Sequence, residues 1–361
     1  MSWKTILRTA VLATSLATAA FSNVQADNPG KGKKKLAVER VKDGLSVMVL
    51  GSGAPAAQPV GRASAGYMIF IDGVPKILMD VGGGVYQRIA DSGMNIYPLE
   101  IVLLTHLHVD HVGDVDPIVK ALFFHNRLAG FPRDAGTVLE FFGPDQAPAG
   151  APPPALRFPT TDTFIDAHFD ETNGVEAYLH DFSQVIGGIP LNYAVQSVEH
   201  DNSLGVRTIY DEDGLVIKAI GVPHGPAPSL AFRIEYQGKS VVYSGDTTSL
   251  SPNGNMVEIS RDADLLVYDT AILDDTGAPF SLLHTTPTRI GEVARDAGVK
   301  HLLLSHITPI TEANLKQVQK SVRTAGYHGR MGVASDLQVI NLHHGEGGDD
   351  DDHQDDHDED D

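Results

Sequence analysis

Apolar and polar positions alternate along most of this chain, and at three places the alternation turns back through a two-residue signal. GYMIFIDG and PKILMDVGGG read as strands joined at DGVP. VRTIYDEDGLVIKAIGV reads as two strands joined at Asp213-Gly214, and SLAFRIEYQGKSVVYSGD as a hairpin turned at Gln237-Gly238. LSVMVLGSGAP reads as a strand ending in a glycine-rich turn. IVLLTHLHVDH is an apolar strand followed by a polar loop, ADLLVYDTAI and KHLLLSHI are further strands, and LQVINL is a last one.

Helical spacing appears between them. YQRIADSGM is a short helix closed by Gly93. DVDPIVKALFFHNRLAG has Pro117 near its start and Gly130 past its end. TPTRIGEVARDAGV has Thr286 as cap, Pro287 at its first position and Gly298 closing it, and TEANLKQVQKSVRTAG is the last helix. There is no repeat at solenoid spacing. Hairpins interleaved with a few helices, in two halves, predict two sheets face to face with helices outside.

Three stretches stand apart. MSWKTILR, TAVLATSLATAAF and VQA before Asp27 have the layout of a secretory signal peptide over 1–26, with cleavage expected after Ala26. Its apolar run is too short to span a bilayer, so the expected location is periplasmic or secreted, with no membrane contact after cleavage. Residues 27–44 read as a flexible lead-in, leaving 45–344 as the folded domain. Within that domain 143–200 begins with GPDQAPAGAPPPALRFP, which must be a loop, and reads as an insertion that borders a site or simply lies on the surface. Residues 345–361 hold eleven acidic residues with His353 and His357, and read as a disordered tail able to collect divalent cations weakly.

Composition narrows the chemistry. The chain has no cysteine, so any metal must be held by His, Asp or Glu. The formal charge is −20, and 27–344 alone carries −11. An acidic body is a poor match for a polyanion, whose binding rests on Lys and Arg neutralising phosphates, and no nucleic acid is expected as partner.

The candidate chemistry starts at THLHVDH. His106 and His108 share parity on an extended segment and can bind one ion; Asp110 and His111 lie beyond it and can serve a second. Three later strand ends offer more ligands: His224 in GVPHG, Asp246 in YSGDT and His306 in LLSHI. With Asp246 bridging, His106, His108, His224 and Asp246 serve one ion, and Asp110, His111, His306 and Asp246 the other. Imidazole and carboxylate ligands suit two divalent ions, zinc first, with manganese or iron as the other choices.

HxHxDH followed by a distant His, Asp and His resembles the metallo-β-lactamase superfamily. The resemblance implies an α/β fold, a four-layer αβ/βα sandwich of two mixed β-sheets flanked by helices, with a dinuclear site at one edge. LGSGAP with Arg62 downstream, MDVGGG, FGP, YSGDT, HTTP and LLSHI occur in that order and resemble the ribonuclease Z-like branch, which includes periplasmic arylsulfatases and cyclic-nucleotide phosphodiesterases. That branch implies a proton donor at the HTT histidine, His284, supported by an acid that falls on Asp269 in DLLVYDTA. Tyr268 stands where a histidine is usual. The alternative for His284 is a residue at the start of a helix, hydrogen-bonded to backbone. The implied reaction uses hydroxide drawn from water acidified by two metals, oriented by Asp110, with His284 protonating the leaving group.

The substrate expected from the sequence is a small anionic ester, an aryl or alkyl sulfate first and a phosphodiester close behind. A ribonuclease Z-like endonuclease is disfavoured by the export signal, the acidic body and the 22 positions between His224 and Asp246, where ribonuclease Z usually carries a basic arm. A lactonase of the acyl-homoserine lactone type is the other enzymatic alternative, disfavoured because GDTTSLSPN lacks a tyrosine. A periplasmic metal-binding protein is the non-enzymatic one. A homodimer is compatible with all of these.

Overall fold

A computed structural model describes residues 35–57, 61–128, 133–145, 158–249 and 254–342. The expected signal peptide, residues 27–34 of the lead-in, residues 146–157 of the expected insertion and the acidic tail lie outside these residues.

The strands are β1 Leu45–Gly51, β2 Gly66–Ile71, β3 Val74–Val81, β4 Ile101–Leu103, β5 Leu139–Pro144, β6 Tyr193–Val198, β7 Arg207–Glu212, β8 Leu215–Gly221, β9 Leu230–Tyr236, β10 Lys239–Tyr243, β11 Leu265–Asp269, β12 His301–Ser305, β13 Arg330–Val333 and β14 Val339–Leu342. They form two seven-stranded sheets, ordered β14-β1-β2-β3-β4-β5-β6 and β13-β12-β11-β10-β9-β8-β7. Each is mixed: β14 to β3 are antiparallel and β3 to β6 parallel, while β7 to β10 are antiparallel and β10 to β13 parallel.

The three hairpins turn where the sequence places them. Asp72-Gly73, Asp213-Gly214 and Gln237-Gly238 all have positive φ at both positions, the backbone that matches the twist of tightly joined strands.

Period-two patterning explains the layers. In β1, Val47 and Val49 face an inter-sheet core with Ile69, Ile77, Ile217, Phe232 and Val241, while Met48 and Leu50 face the helices. Ile89, Ile118, Leu122 and Ile165 cover the first sheet, and Met256, Ile290, Val293 and Val318 the second. Strands buried on both faces read as near-continuous apolar runs, as LLVYD and HLLLS do. The result is the αβ/βα sandwich expected. No helix among the described residues is long and apolar enough to cross a membrane.

Several boundaries differ from the sequence reading. Residues 143–144 finish β5, and 193–198 form the edge strand β6, paired parallel to β5. The ends of the expected 143–200 insertion are therefore part of the first sheet. The half-buried β6 has too few apolar positions to stand out from its surroundings. The lead-in ends in a short helix, Ala37–Arg40, with Ala37 buried and Arg40 donating to the Leu337 carbonyl. The helix expected to run toward Gly130 ends at Phe124, and the last helix is split into Pro309–Glu312 and Leu315–Thr324. Thr286 precedes the helix Pro287–Asp296, but its side chain makes no capping hydrogen bond.

Candidate metal centre

Every candidate ligand leaves the C-terminal end of a strand or the loop after it, at one edge of the sandwich. His106, His108, Asp110 and His111 follow β4, His224 follows β8, Asp246 follows β10, Asp269 ends β11 and His306 follows β12. Leu230 donates to the Thr105 carbonyl at 2.9 Å and ties the two sheets together at this edge. Backbone constraint is concentrated here. His306 has φ 55° and Asp80 φ 52°, both in the left-handed region. Gly245 has φ +54°, and a Cβ there would meet Thr105 Cβ at 2.8 Å and the Leu230 carbonyl at 2.9 Å, so only glycine lets the Asp246 loop come this close.

Two cages result. His106 Nε2 lies 3.0 Å from His108 Nδ1, His224 Nε2 lies 3.2 Å from the same atom, and Asp246 Oδ2 is 3.8 and 3.6 Å from His106 and His224 Nε2. On the other side, His306 Nε2 is 3.2 Å from both His111 Nε2 and Asp110 Oδ2, and Asp246 Oδ1 is 3.4 Å from each imidazole. The ligand atoms of His106, His108, His224 and Asp246 all lie within 4.8 Å of one another, as do those of Asp110, His111 and His306, and Asp246, Asp269, His284 and His306 form a further group of the same kind. Asp246 presents one oxygen to each cage. The seven residues expected as ligands are thus brought together at this edge.

The outer nitrogens fix how the rings face inward. His224 Nδ1 donates to the Leu283 carbonyl at 2.7 Å, and His306 Nδ1 is 3.2 Å from Asp269 Oδ1. His111 Nδ1 donates to Asp80 Oδ2 at 2.6 Å. Thr105 gives its hydroxyl proton to the same Asp80 oxygen at 2.8 Å, which leaves its lone pair to accept from His106 Nδ1 at 3.1 Å. Each of these rings therefore turns its Nε2 toward the cage, the atom that ligates when the ring is neutral. Asp80 thereby orients one ligand of each group, through Thr105 and directly. Sequence reasoning gave Asp80 no role; its signal was the acid that closes the apolar run in MDVGGG.

The electrostatics agree with a cation site. Burial, helped by His111 and His224, pushes His106 well below the ordinary imidazole range, and burial likewise pushes His224 down. Both are thus the neutral form that ligates metal. Burial also disfavours charge on His306, but Asp246, Asp110 and Asp269 outweigh it and raise the group to about 10. Burial would raise Asp246, yet His306 and His111 hold it well below the carboxylate range. Asp246 Oδ1 is buried with no hydrogen-bond partner among the described residues, between two imidazoles 3.4 Å away. A buried carboxylate oxygen without a hydrogen bond, set among converging ring nitrogens, is what a divalent cation satisfies, and an all-nitrogen-and-oxygen donor set fits two such ions.

His284 lies beside the cages. Its Nδ1 is 2.8 Å from Asp269 Oδ2 and 3.8 Å from Asp246 Oδ2. The partner is a side-chain carboxylate, not the backbone that the alternative reading required. Burial pushes the His284 imidazolium down, and Asp269 more than restores it, above its ordinary value. Tyr268 points the other way, into the outer core, with its hydroxyl hydrogen-bonded to Ser249. It touches neither cage. Phe158, inside the expected insertion, lies against the His108 ring at 5.7 Å between centroids, so this segment borders the centre.

Comparison with known proteins agrees with this architecture. Residues 167–307 match the family described as beta-lactamase superfamily domain. The chain is 29% identical over 310 residues to a protein named Ribonuclease Z from Mycolicibacterium paratuberculosis, covering 82% of this chain and 98% of that protein. It is 28% identical over 309 residues to a Ribonuclease Z from Mycobacterium tuberculosis, covering 83% and 98%. Among solved structures, the metallo-beta-lactamase fold protein YhfI from Bacillus subtilis superposes with a TM-score of 0.60 at 20% identity, over 82% of this chain and 99% of that one. Human tRNase Z, short form, superposes with a TM-score of 0.58 at 19% identity, over 82% and 98%.

Proposed function

We propose that this chain, which carries a metallo-β-lactamase superfamily domain, is a two-metal hydrolase of phosphodiester bonds. The observation that carries the reading is the division of Asp246 between two complete cages, with the His284–Asp269 pair alongside. Similarity over 82–83% of this chain to proteins named Ribonuclease Z favours phosphorus over the sulfate ester ranked first from the sequence.

His106, His108, His224 and Asp246 would hold one ion, and Asp110, His111, His306 and Asp246 the other; zinc is the first choice for this ligand set, with manganese or iron next. Ions bound there supply Lewis acidity and make water acidic enough to attack near neutral pH. The chain's own residues do the rest. Asp80 and Leu283 hold the rings in register. Asp269 occupies His284 Nδ1, leaving Nε2 to pass a proton to the departing alkoxide. Asp269 also stabilises the imidazolium until transfer.

The favoured substrate is a small diester. The acidic body opposes a polyanion, and β9 and β10 are joined by the two-residue turn at Gln237-Gly238, with no arm between His224 and Asp246. RNA is the second reading, favoured by the relatives' name. The pattern of residues 1–26 supports export, which makes the expected setting periplasmic or secreted. Initial rates of the metal-loaded chain on bis-p-nitrophenyl phosphate, p-nitrophenyl sulfate and an unstructured oligoribonucleotide test the reading. Metal-dependent cleavage of the diester supports it, preference for the sulfate or the RNA replaces the substrate, and activity on none overturns it.

A further inference from the structure

Large apolar side chains are exposed in the segments that carry the candidate ligands. Val109, between His108 and Asp110, is 80% exposed; Phe280 and Leu282, just before His284, are 58% and 57% exposed; Ile310, four residues past His306, is 53% exposed. The His284 amide donates to the Phe280 carbonyl at 3.0 Å, one helical turn back, so Phe280 and His284 share a side of that turn. Thr308 donates to the Ala271 carbonyl at 2.8 Å and ties the loop bearing Ile310 to the loop bearing Phe280. The Phe158 ring lies beside that of His108, tilted at 55° to it.

The same loops lack cations. No lysine or arginine occurs in 105–114, 222–229, 244–249, 270–286 or 306–314. Among the described residues, two arginines of adjacent segments are engaged: Arg62 with Glu312 at 2.8 Å and Ser52 at 2.7 Å, Arg289 with Glu292 at 3.0 Å and the Ser249 carbonyl at 3.3 Å; Arg157, next to Phe158 in the chain, lies outside the described residues. A surface that reads a nucleic-acid backbone has the opposite composition. Large exposed apolar side chains grouped around a reactive centre are a contact surface.

We infer that the substrate is a phosphodiester with an apolar aryl or alkyl arm, which packs on Phe280, Leu282, Val109 and Ile310 while the anionic phosphorus sits at the cages. The inference rests on the hydrolase reading above and specifies its substrate class. An arm of this kind needs no cation and removes apolar surface from water on both sides.

The test is a series of p-nitrophenyl alkyl phosphodiesters, methyl to hexyl, assayed on the metal-loaded full chain. The leaving group is constant and only the arm grows. The expected result is a kcat/KM that rises with each methylene until the rim is covered, by up to about fourfold per methylene. Phe280→Ala with Leu282→Ser should collapse the hexyl-to-methyl ratio toward one. Val185→Ser, at an exposed apolar position of the segment Ser183–Gly187, should keep the wild-type ratio. Turnover that does not depend on arm length overturns the inference and leaves the hydrolase reading in place. A double variant that loses self-association while keeping the ratio also overturns it, since the rim would then be a contact between copies. No turnover on any diester overturns both.

Discussion

The Asp80 carboxylate accepts a hydrogen bond from His111 Nδ1 at 2.6 Å while it holds the backbone amide and hydroxyl of Thr105, each at 2.8 Å. One buried acid thus sets the tautomer of His111 and, through Thr105, that of His106. Asp80→Asn keeps the shape but must turn an N–H toward one of these donors. It should weaken metal binding about 10- to 100-fold, measured by competition with a chelator. Unchanged affinity would remove Asp80 from the ligand-orienting role.

In the proposed reaction His284 gives the proton, with its Nδ1 held 2.8 Å from Asp269 Oδ2. His284→Ala should retain both ions and lose on the order of 10²–10⁴ in kcat on diesters with poor leaving groups, with a much smaller loss for p-nitrophenolate. A leaving-group series read with parallel metal analysis decides it. Equal slowing across the series would contradict the assignment.

Gly245 admits no side chain. In Gly245→Ala the left-handed backbone and the approach to Thr105 and Leu230 together should cost about 2–4 kcal/mol in chemical denaturation, and the displaced Asp246 should lower metal affinity as well. Stability and affinity both at wild-type levels would show that the loop has slack this packing does not contain.

Remote from the centre, burial, aided by Arg330, pushes His301 at the start of β12 down to about 4. Between roughly pH 6.5 and 4 the unfolded chain binds a proton here that the native one refuses. Stability should therefore fall as pH drops through that window, by on the order of 2–3 kcal/mol from this group. His301→Gln should flatten that part of the pH–stability curve relative to wild type. Identical curves would mean that His301 is protonated with equal ease in both states.

The parts of this architecture that were legible in the sequence are those with local causes. Asp213-Gly214 and Gln237-Gly238 announce their hairpins because two adjacent residues suffice for the turn. THLHVDH is dense enough to suggest a centre by itself, and His224, Asp246 and His306 stand out because each follows an apolar run. What stayed hidden depends on distant partners. Asp80 acquires its role from residues 25 and 31 positions away. β6 and β13 are half-exposed edge strands whose pattern is set by a neighbour on one side only. The exposed rim of Val109, Phe280, Leu282 and Ile310 was unreadable because exposure is a property of the folded surface.

In the proposed enzyme Asp246 joins two cages into one hydrolytic centre. The most direct measurement is metal stoichiometry with diesterase activity, for wild type and Asp246→Ala, each prepared also without Gly345–Asp361 so that ions on the Asp/His tail are counted separately. Two tightly held ions are expected in the wild-type chain with or without the tail, and loss of both tight binding and turnover in Asp246→Ala. A wild-type chain whose ions leave with the tail, or an Asp246→Ala chain that still holds two ions and turns over, would contradict that role of Asp246.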